Sequence, residues 1–426
     1  MSSEKREGEE VEVDGEKRPK QDTPHHFDLD TLKHFYDTLF PAEAFYEWLT
    51  YAHGKDNSIH EDFRKRELSM TLEGDLYIRY QGYSNAEELR KDLVRRTPIK
   101  IDIGGMYNLP MSQKTSDVFK PVARELIFDI DMDDYSPIRH CCTGANICRK
   151  CWPFMMNAMK VMKYILKERF GFKQLLFVFS GRRGVHVWVC DKRARQLTDA
   201  QRKAIVDYIS FSKTSYKVDY NLHECAKMLR GFFERDILGE DGQDVLRYNP
   251  ALETAAKKEF GNVDLVEVFQ KQRCLPLVEC LPSNFSRMNK EKLTSVLKSD
   301  KSAMEKWEAI QKLLEKDTID KVILTFTFPR LDKNVSLLRH HLLKSPFIVH
   351  PKSCRFCCPI DPDRIEEFDP FLVPCLDEVF ESEEALKKYN EYVAMFREKF
   401  LPALKKECCI EDGKARGEEA NESELF

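Results

Sequence analysis

Apolar residues follow two kinds of spacing in the first fifth of the chain. Over residues 29–39 and again over 45–49 they recur at the helical period. Over residues 68–72 and 76–80 they alternate with polar residues, and the turn sequence EGD separates the two runs. We therefore predict an opening helical layer followed by a β-hairpin, with Glu67 and Arg79 on its strands.

Three short apolar runs in the next part predict buried strands. They are ELIFDID at 125–131, LLFVFS at 175–180 and VHVWVCD at 185–191, in which valines alternate with other residues. Amphipathic patterns at 87–96 and 154–169 predict helices between the strands. Helices that alternate with strands of this kind indicate an α+β fold with a mixed sheet.

The second half of the chain changes character. Residues 197–320 show no comparable strand pattern and predict mainly helices, over 204–212, 255–260, 293–299 and 303–316. The β-rich run VILTFTF at 322–328 predicts one more strand. A basic helical stretch over 335–344 and a C-terminal helix from about 383 to 400 follow. The pattern thus predicts a helical subdomain inserted into the α+β part.

These patterns divide the chain into five segments. Residues 1–26 have almost no large apolar side chains and predict a disordered N-terminal tail, whose KRPK run at 17–20 is a candidate nuclear localisation signal. Residues 27–196 form the first part of the α+β core, 197–320 the helical subdomain, 321–406 the second part of the core and 407–426 a flexible tail.

Composition and charge narrow the class of protein. Hydrophobic residues make up 42% and charged residues 33%, which is typical of a globular protein. The formal net charge of -4 gives no overall positive field, so any nucleic-acid contact requires a local basic patch. Because no run of 18 apolar residues occurs and the N-terminus is charged, we expect a soluble intracellular protein without a membrane partner.

Asp129 and Asp131 end the first of the buried strands. Separated by one residue, they project from the same face with backbones roughly 6.6 Å apart. Two carboxylates in this position suit a pair of hard cations such as Mg²⁺ or Mn²⁺, which align the oxygens in phosphoryl transfer. Acids at a strand end also solvate it or cap a helix, and a DxD motif is the metal motif of many glycosyltransferases.

The turn SGRRGVH, residues 180–186, supplies groups that a triphosphate requires. Two glycines permit close backbone approach, and Arg182 and Arg183 offer forked donors to phosphate oxygens. Ser180 and His186 add shorter donors. A solvated basic hairpin tip is the alternative, but buried strands on both sides favour a rigid phosphate-binding turn.

The chain has 14 cysteines, and in an intracellular protein these indicate reduced thiols and metal ligands more than disulfides. Several of them are clustered in the sequence, as metal ligands are. Cys141, Cys142, Cys148 and Cys151 form a compact set suited to tetrahedral, structural Zn²⁺. His140 is an alternative ligand, because adjacent cysteines are awkward as a ligand pair. A second group, Cys354, Cys357 and Cys358, lacks an obvious fourth ligand, and we interpret it as reduced loop cysteines.

Two long motifs make the chain recognisable. RELIFDIDMDDY and FSGRRGVHVWVCD together resemble the small catalytic subunit of eukaryotic and archaeal DNA primases. The resemblance covers roughly residues 28–400, and YIRYQ, KIDIG, the cysteine cluster, PRLD, HLLKSPF and VHP occur in the family's order. The second cysteine group departs from it. The resemblance implies the RRM-like primase catalytic core with a zinc knuckle at 140–151.

The resemblance also implies residue roles. Asp129, Asp131 and Asp332 would form the metal-binding acid triad, with Glu67 as a further active-site acid. The nucleotide would contact Ser180, Arg182, Arg183, His186, Arg79, Lys100, His341, Lys344 and His350. From the residues alone, Glu67 and Arg79 are ordinary strand-surface residues, and Asp332 is a helix N-cap.

The function implied is synthesis of short RNA primers from ribonucleoside triphosphates on a single-stranded DNA template, for initiation of DNA replication. The partners implied are a large primase subunit carrying an iron-sulfur cluster and the DNA polymerase alpha complex, in the nucleus. Two competing classes are a DxD glycosyltransferase, disfavoured by SGRRGVH, and a non-catalytic zinc-dependent nucleic-acid-binding subunit, disfavoured by the intact acid triad.

Overall fold

The computed structural model describes residues 27–51, 63–211, 218–254, 269 and 272–407. The predicted N-terminal tail with KRPK, the predicted helix at 255–260 and all but the first residue of the 407–426 tail lie outside the described residues. The described part is an α+β structure, as predicted, but every strand pairing in its two sheets is antiparallel, so the predicted mixed sheet is wrong.

The first sheet forms one wall of the molecule. Its strands are β1 (Arg66–Thr71), β2 (Tyr77–Gln81), β3 (Lys100–Tyr107) and β4 (Pro121–Ala123), ordered β2-β1-β3-β4, with the two-residue β8 (Leu343–Lys344) pairing β3. Strands β1 and β2 are the predicted hairpin, in which Met70 pairs with Ile78. Gly74 adopts φ +72 in the turn between them, a left-handed conformation that glycine adopts readily.

The second sheet carries the predicted buried strands. They are β5 (Leu126–Asp131), β6 (Leu175–Phe179) and β7 (Gly184–Val189), and β9 (Pro359–Ile360) completes the order β5-β7-β6-β9. Strands β6 and β7 are buried along their whole length, which is why they read as continuous apolar runs. In β5 only Asp129 and Asp131 reach the surface.

Helices cover the sheets and form most of the segment after residue 197. The helices are α1 (Leu29–Thr38), α2 (Ala42–Thr50), α3 (Ala86–Arg96), α4 (Trp152–Tyr164), α5 (Lys192–Arg195), α6 (Asp199–Ile209), α7 (Tyr220–Phe232), α8 (Leu275–Glu279), α9 (Arg287–Lys298), α10 (Ala303–Gln311), α11 (Lys316–Thr327), α12 (Lys333–Leu337), α13 (Glu378–Glu381) and α14 (Glu383–Ala394). π-helical turns extend α4, α7 and α14. The chain starts helices with side-chain caps, such as Asp28 before α1.

Two predictions in the later part of the chain are wrong. Residues 322–328 are not a strand, because α11 extends through Thr327 and packs against α7. The predicted helix over 335–344 ends at Leu337, and Leu343 and Lys344 instead pair with β3 as β8. A buried apolar run has no polar face that would distinguish a helix from a strand, and β8 depends on a distant partner strand.

A fully buried ion network lies where the two sheets meet. Arg66 of β1 contacts both carboxylate oxygens of Glu125, at 2.9 and 3.1 Å, and Tyr51 donates to the same carboxylate at 2.5 Å. Arg66 and Arg124 both donate to the carbonyl oxygen of Gly104 in β3. The network therefore ties β1 and β3 of the first sheet to the start of β5. Within the described residues we find no helix long and apolar enough to cross a membrane.

Candidate functional site

Asp129 and Asp131 occupy the end of β5 next to the arginine-containing turn. In the antiparallel pair of β5 and β7, Asp129 lies opposite His186 and Asp131 opposite Gly184. The alternate residues Phe128 and Ile130 are buried in the core. Alternation along the strand therefore directs both carboxylates to one open face, as the spacing predicts.

Asp332 is brought to the same face by a loop that runs beside β5. Its backbone N–H donates to the carbonyl oxygen of Asp129 at 3.0 Å. The buried hydroxyl of Ser336 in α12 donates to the carbonyl oxygen of Ile127 at 2.6 Å and fixes the helix against the strand. The Asp332 carboxylate also accepts from the N–H of Asn334, so the N-cap interpretation is correct as well.

The turn between β6 and β7 is held closed by its first residue. The Ser180 N–H donates to the carbonyl oxygen of Gly184, and the Gly184 N–H donates to the Ser180 hydroxyl at 3.0 Å. Gly181 adopts φ +83, and a Cβ there would lie 2.8 Å from the Cβ of His350. The turn is thus packed against the loop that contains His350, and only glycine fits at position 181.

A cleft of about 320 Å³ opens between these elements. Ten of the predicted residues line it, together with three others: Asp129, Asp131, Asp332, Ser180, Arg182, Arg183, His186, His341, Lys344 and His350, with Val335, Leu342 and Leu343. Glu67, Arg79 and Lys100 are not among the lining residues. They belong to β1, β2 and β3 of the adjoining first sheet.

Glu67 and Arg79 form an ion pair on that sheet. Arg79 Nε lies 2.9 Å from Glu67 Oε1, and the Tyr107 hydroxyl donates to Glu67 Oε2 at 3.2 Å. Glu67 is fully buried, so its interpretation from the residues alone as a surface residue is wrong. Gly104 makes the space, since a Cβ there would lie 2.8 Å from the Glu67 Cβ.

Asp102 was missed by the sequence analysis. It pairs in register with Lys344, and burial raises the pKa of its carboxyl group although Lys344 and Lys100 oppose the shift. Its signal was the alternation in KIDIG, which places it on the same face of β3 as Lys100. The charge of Lys100 also contributes to the lowered pKa of His350, so Lys100 lies close enough to affect this residue of the cleft wall.

The carboxylates of the cleft are incompletely neutralised. Burial, and then the charges of Asp131 and Asp332, raise the pKa of Asp129 to about 7. Its contact with His186 Nε2 is long, 3.8 Å, and burial and Lys344 lower the pKa of that imidazole to about 3. A neutral imidazole does not compensate a carboxylate, so the site has negative charge available for a cation.

Arg183 compensates part of this charge in the present arrangement. Its Nε lies 2.7 Å from Asp131 Oδ1, and its second guanidinium nitrogen lies 2.6 Å from Asp133 Oδ2. Asp133 was not among the predicted site residues. Within the described residues, the cysteines are the group of three or more His, Cys, Asp or Glu side chains close enough to share one metal ion, and the three carboxylates do not form such a group.

Positively charged groups also line the cleft. Arg182 and Lys344 lie near the half-buried His350, since burial, Lys344 and Arg182 lower the pKa of this imidazole to about 3 and keep it neutral. Burial and Arg124 likewise lower the pKa of His341, against the opposing charge of Asp332. A cleft lined by both carboxylates and fixed cations suits a metal-bound polyphosphate.

The four predicted cysteine ligands lie together. The sulfur atoms of Cys141, Cys142, Cys148 and Cys151 are all within 4.8 Å of one another, so the cluster could hold a metal such as zinc. His140 is outside this set, and its backbone N–H donates to Gln243 at 2.7 Å. Four thiols therefore complete the cluster without His140.

Gln243 is a second residue that the sequence analysis missed. It comes from the predicted helical subdomain and is buried against the cysteine loop. Its amide nitrogen lies 3.4 Å from Cys141 Sγ and 3.0 Å from the carbonyl oxygen of Lys150. A single glutamine in a polar loop gives no pattern, so only the tertiary structure reveals this role.

The second cysteine group, Cys354, Cys357 and Cys358, is buried beside the turn at residues 180–186. Cys357 Sγ donates to the carbonyl oxygen of Ser180 at 3.1 Å, and Cys354 and Cys358 are buried near it. These thiols pack the loop that carries His350.

The chain is similar to proteins of one family. Residues 128–362 match the family model described as DNA primase small subunit. The DNA primase small subunit of Schizosaccharomyces pombe is 34% identical over 83% of this chain and 78% of its own length, and that of Drosophila melanogaster is 34% identical over 82% and 80%. The Saccharomyces cerevisiae protein of the same name is 30% identical over 88% of this chain and 94% of its own.

Proposed function

Because the chain belongs to the DNA primase small subunit family, and is thus the primer-synthesising catalytic subunit of a primase, we propose that the cleft at the end of β5 is its nucleotidyl-transfer site. The observation that carries this proposal is the pairing of β5 with β7. It sets Asp129 and Asp131 beside the Ser180–His186 turn, so carboxylates and hydrogen-bond donors suited to phosphate line the same cleft.

Asp129, Asp131 and Asp332 would hold two divalent cations, Mg²⁺ or Mn²⁺. Oxygen ligands suit both ions, and a cation would offset the burial and the repulsion from Asp131 and Asp332 that raise the pKa of Asp129. When bound, such ions neutralise the triphosphate and activate the attacking 3′-hydroxyl of the primer or first nucleotide.

The chain's own residues position the nucleotide. Arg182, Lys344 and His186 bind the phosphates, and they stabilise the charge that develops on the pyrophosphate. Arg183 exchanges its contact with Asp131 for a phosphate oxygen, which frees the carboxylate for the cation. Ser180, His341 and His350 complete the cleft wall.

The first sheet contributes the remaining nucleotide contacts. Glu67 binds Arg79 and fixes its guanidinium, whose charge acts on His341 of the cleft wall. Lys100 adds positive charge near His350. In this proposal Glu67 acts through Arg79, and Arg79 and Lys100 contact the nucleotide.

The remaining assignments follow from family membership. We infer an RRM-like primase catalytic core in residues 27–196 and 321–406, a helical subdomain at 197–320, and structural Zn²⁺ on the four cysteines. The chain would pair with a large primase subunit and the DNA polymerase alpha complex, bind single-stranded DNA, RNA primer and ribonucleoside triphosphates, and act in the nucleus.

Ribonucleotide incorporation on unprimed single-stranded DNA, with Mg²⁺ or Mn²⁺ and with a large subunit present, tests the proposal. Template-dependent RNA from the unaltered chain that disappears in Asp332→Asn is the expected result. An Asp332→Asn protein that primes normally would show that the chemistry takes place elsewhere. Asp317→Asn, on α11 of the helical subdomain, is the matched control.

A further inference from the structure

Aromatic and cationic side chains collect around Tyr80, at the edge of the first sheet. The Tyr80 ring contacts Tyr107 and Phe119 edge-on, with centroid distances of 6.2 and 6.0 Å, and those two rings stack at 4.3 Å. The Arg79 guanidinium and the Lys114 ammonium lie 4.8 and 5.5 Å from the centroid of the Tyr80 ring. A half-buried ring is thus flanked by two cations.

The backbone of Tyr80 is strained. Its φ is +61, a left-handed value that a bulky non-glycine side chain rarely adopts. Residues held in such conformations are concentrated at functional sites, where the surrounding structure fixes them. The contacts with Tyr107 and Phe119 provide this fixation, so the orientation of the Tyr80 ring is built into the fold.

This group of side chains is connected to the proposed nucleotide contact Arg79. The Tyr107 hydroxyl donates to Glu67, and Glu67 binds Arg79, the residue next to Tyr80. The neighbouring segment 114–120 presents the exposed Lys114 and Lys120 with a single acid, Asp117, between them. The surface therefore combines a fixed aromatic ring, positive charge and a direct connection to the proposed nucleotide contact Arg79.

We propose that Tyr80, Lys114, Phe119 and Lys120, here called the Tyr80 surface, bind the single-stranded DNA template next to the nucleotide contact Arg79. A base stacks on the exposed part of Tyr80, and the two lysines contact phosphates, as in proteins that bind single strands without reading sequence. This inference rests on the proposed function, since only there does Arg79 mark the position of the nucleotide.

Binding of a fluorescein-labelled oligothymidylate to the full chain, followed by fluorescence anisotropy, tests the stacking contact. Loss of one base–aromatic stack weakens binding roughly five- to 100-fold, which we expect for Tyr80→Leu. Tyr80→Phe keeps the ring face and should bind within about twofold of the unaltered chain. Tyr220→Leu, at a site in α7 whose tyrosine is 70% exposed, is the control for a surface tyrosine.

The lysines are tested through the salt dependence of the same binding. Each phosphate contact on a single strand contributes about 0.7 to the slope of log affinity against log salt. Lys114→Gln and Lys120→Gln should each reduce the slope by about 0.7. Lys387→Gln, on α14, should leave it unchanged. These exposed variants keep the proposal testable if Tyr80→Leu does not fold.

ATP binding in Mg²⁺ separates this inference from the proposed function. We expect Tyr80→Leu to lose oligothymidylate affinity and keep ATP affinity. Equal oligothymidylate binding by the unaltered chain, Tyr80→Leu, Lys114→Gln and Lys120→Gln overturns the inference, and so does a lack of binding by all four. Neither result changes the function proposed for the cleft. Loss of ATP binding in Tyr80→Leu also overturns it, because Tyr80 would then belong to the nucleotide site. Priming that survives Asp332→Asn overturns the proposed function alone.

Discussion

Glu125 directly precedes β5 and Asp129 lies four residues later within that strand, and their surroundings are opposite. Glu125 is fully buried and contacts Arg66, Arg124 and the Tyr51 hydroxyl. Burial would raise its pKa, but Arg66 and Arg124 outweigh burial and lower it to about 2. Asp129 lies near Asp131 and Asp332, and burial, followed by the charges of these two carboxylates, raises its pKa to about 7.

This difference separates a structural ion cluster from a site prepared for a ligand. The protein satisfies the charge of Glu125 itself, so that carboxylate contributes to the joint between the two sheets. The charges around Asp129 are less completely compensated by the protein, and in the proposed function a divalent cation compensates them. Perturbed pKa values occur at both kinds of position, and only the direction of the shift and its partners distinguish them.

Asp129→Asn is the strongest test on the catalytic side of this comparison. Altering a group that only supports a metal ligand costs about 10- to 100-fold in activity, so altering the ligand itself should reduce primer synthesis more than about 100-fold. The free energy of unfolding should stay constant or rise, because a repelling charge is removed. Priming assays and urea unfolding measure the two effects. An Asp129→Asn protein that is less stable but primes normally would show that Asp129 has a structural role, as Glu125 does.

Glu125→Gln should have the opposite pattern. Breaking a buried ion pair from one side costs about 3–5 kcal/mol in the free energy of unfolding, because Arg66 and Arg124 keep their charge. The remaining folded protein should bind ATP with unchanged affinity. Urea unfolding and ATP titration check both expectations. Unchanged stability would show that the network does not join the sheets.

The pH dependence of unfolding sharpens the role of Glu125. Its folded-state pKa of about 2 lies below the ordinary value of 4.5, so its contribution is complete above about pH 4.5 and is lost as the pH falls towards 2. Glu125→Gln should therefore reduce the loss of stability over this interval. An unaltered pH profile in the variant would contradict the assignment.

Gln243→Leu tests a support of the cysteine cluster. Its amide contacts Cys141 Sγ and the carbonyl oxygen of Lys150. Removing such a support should weaken zinc affinity about 10-fold or more, measured by competition with a chromophoric chelator. Gln201→Leu, at the start of α6, is the control variant. Equal zinc affinity of Gln243→Leu and the unaltered chain would show that Gln243 does not support the cysteine cluster.

Asp133→Asn has the smallest expected effect. Arg183 would lose one of its two acidic partners and retain Asp131. Since an exposed ion pair is worth about 0.2–1 kcal/mol, we expect a change of less than about fivefold in KM for ribonucleotides. Steady-state priming measures it. A loss as large as that of Asp129→Asn would make Asp133 a metal ligand.

Much of the site was predictable because its signals are local. The apolar run before Asp129 predicts a strand, alternation places Asp131 on the same face, and the SGRRGVH turn follows from its glycines and arginines. The four cysteines are close in sequence, and they are close in the structure. Strands β5, β6 and β7 were predicted within a residue or two of their bounds.

The rest depends on distant contacts. Residues 322–327 are β-branched and aromatic, but α7 and neighbouring helices bury them as part of α11. Strand β8 exists because β3 offers it a partner, and this pairing brings Lys344 beside Asp102. The burial of Glu67 follows from the missing side chain of Gly104. These contacts join residues that are far apart in the chain, so no short stretch of the sequence predicts them.

The most direct test of the account is a crystal structure of the chain with Mn²⁺ and a non-hydrolysable ATP analogue, analysed by anomalous diffraction. We expect manganese peaks between Asp129, Asp131 and Asp332, the triphosphate on Arg182 and Lys344, and Arg183 separated from Asp131. Manganese absent from these carboxylates, with the nucleotide bound elsewhere and Arg183 still on Asp131, would contradict it.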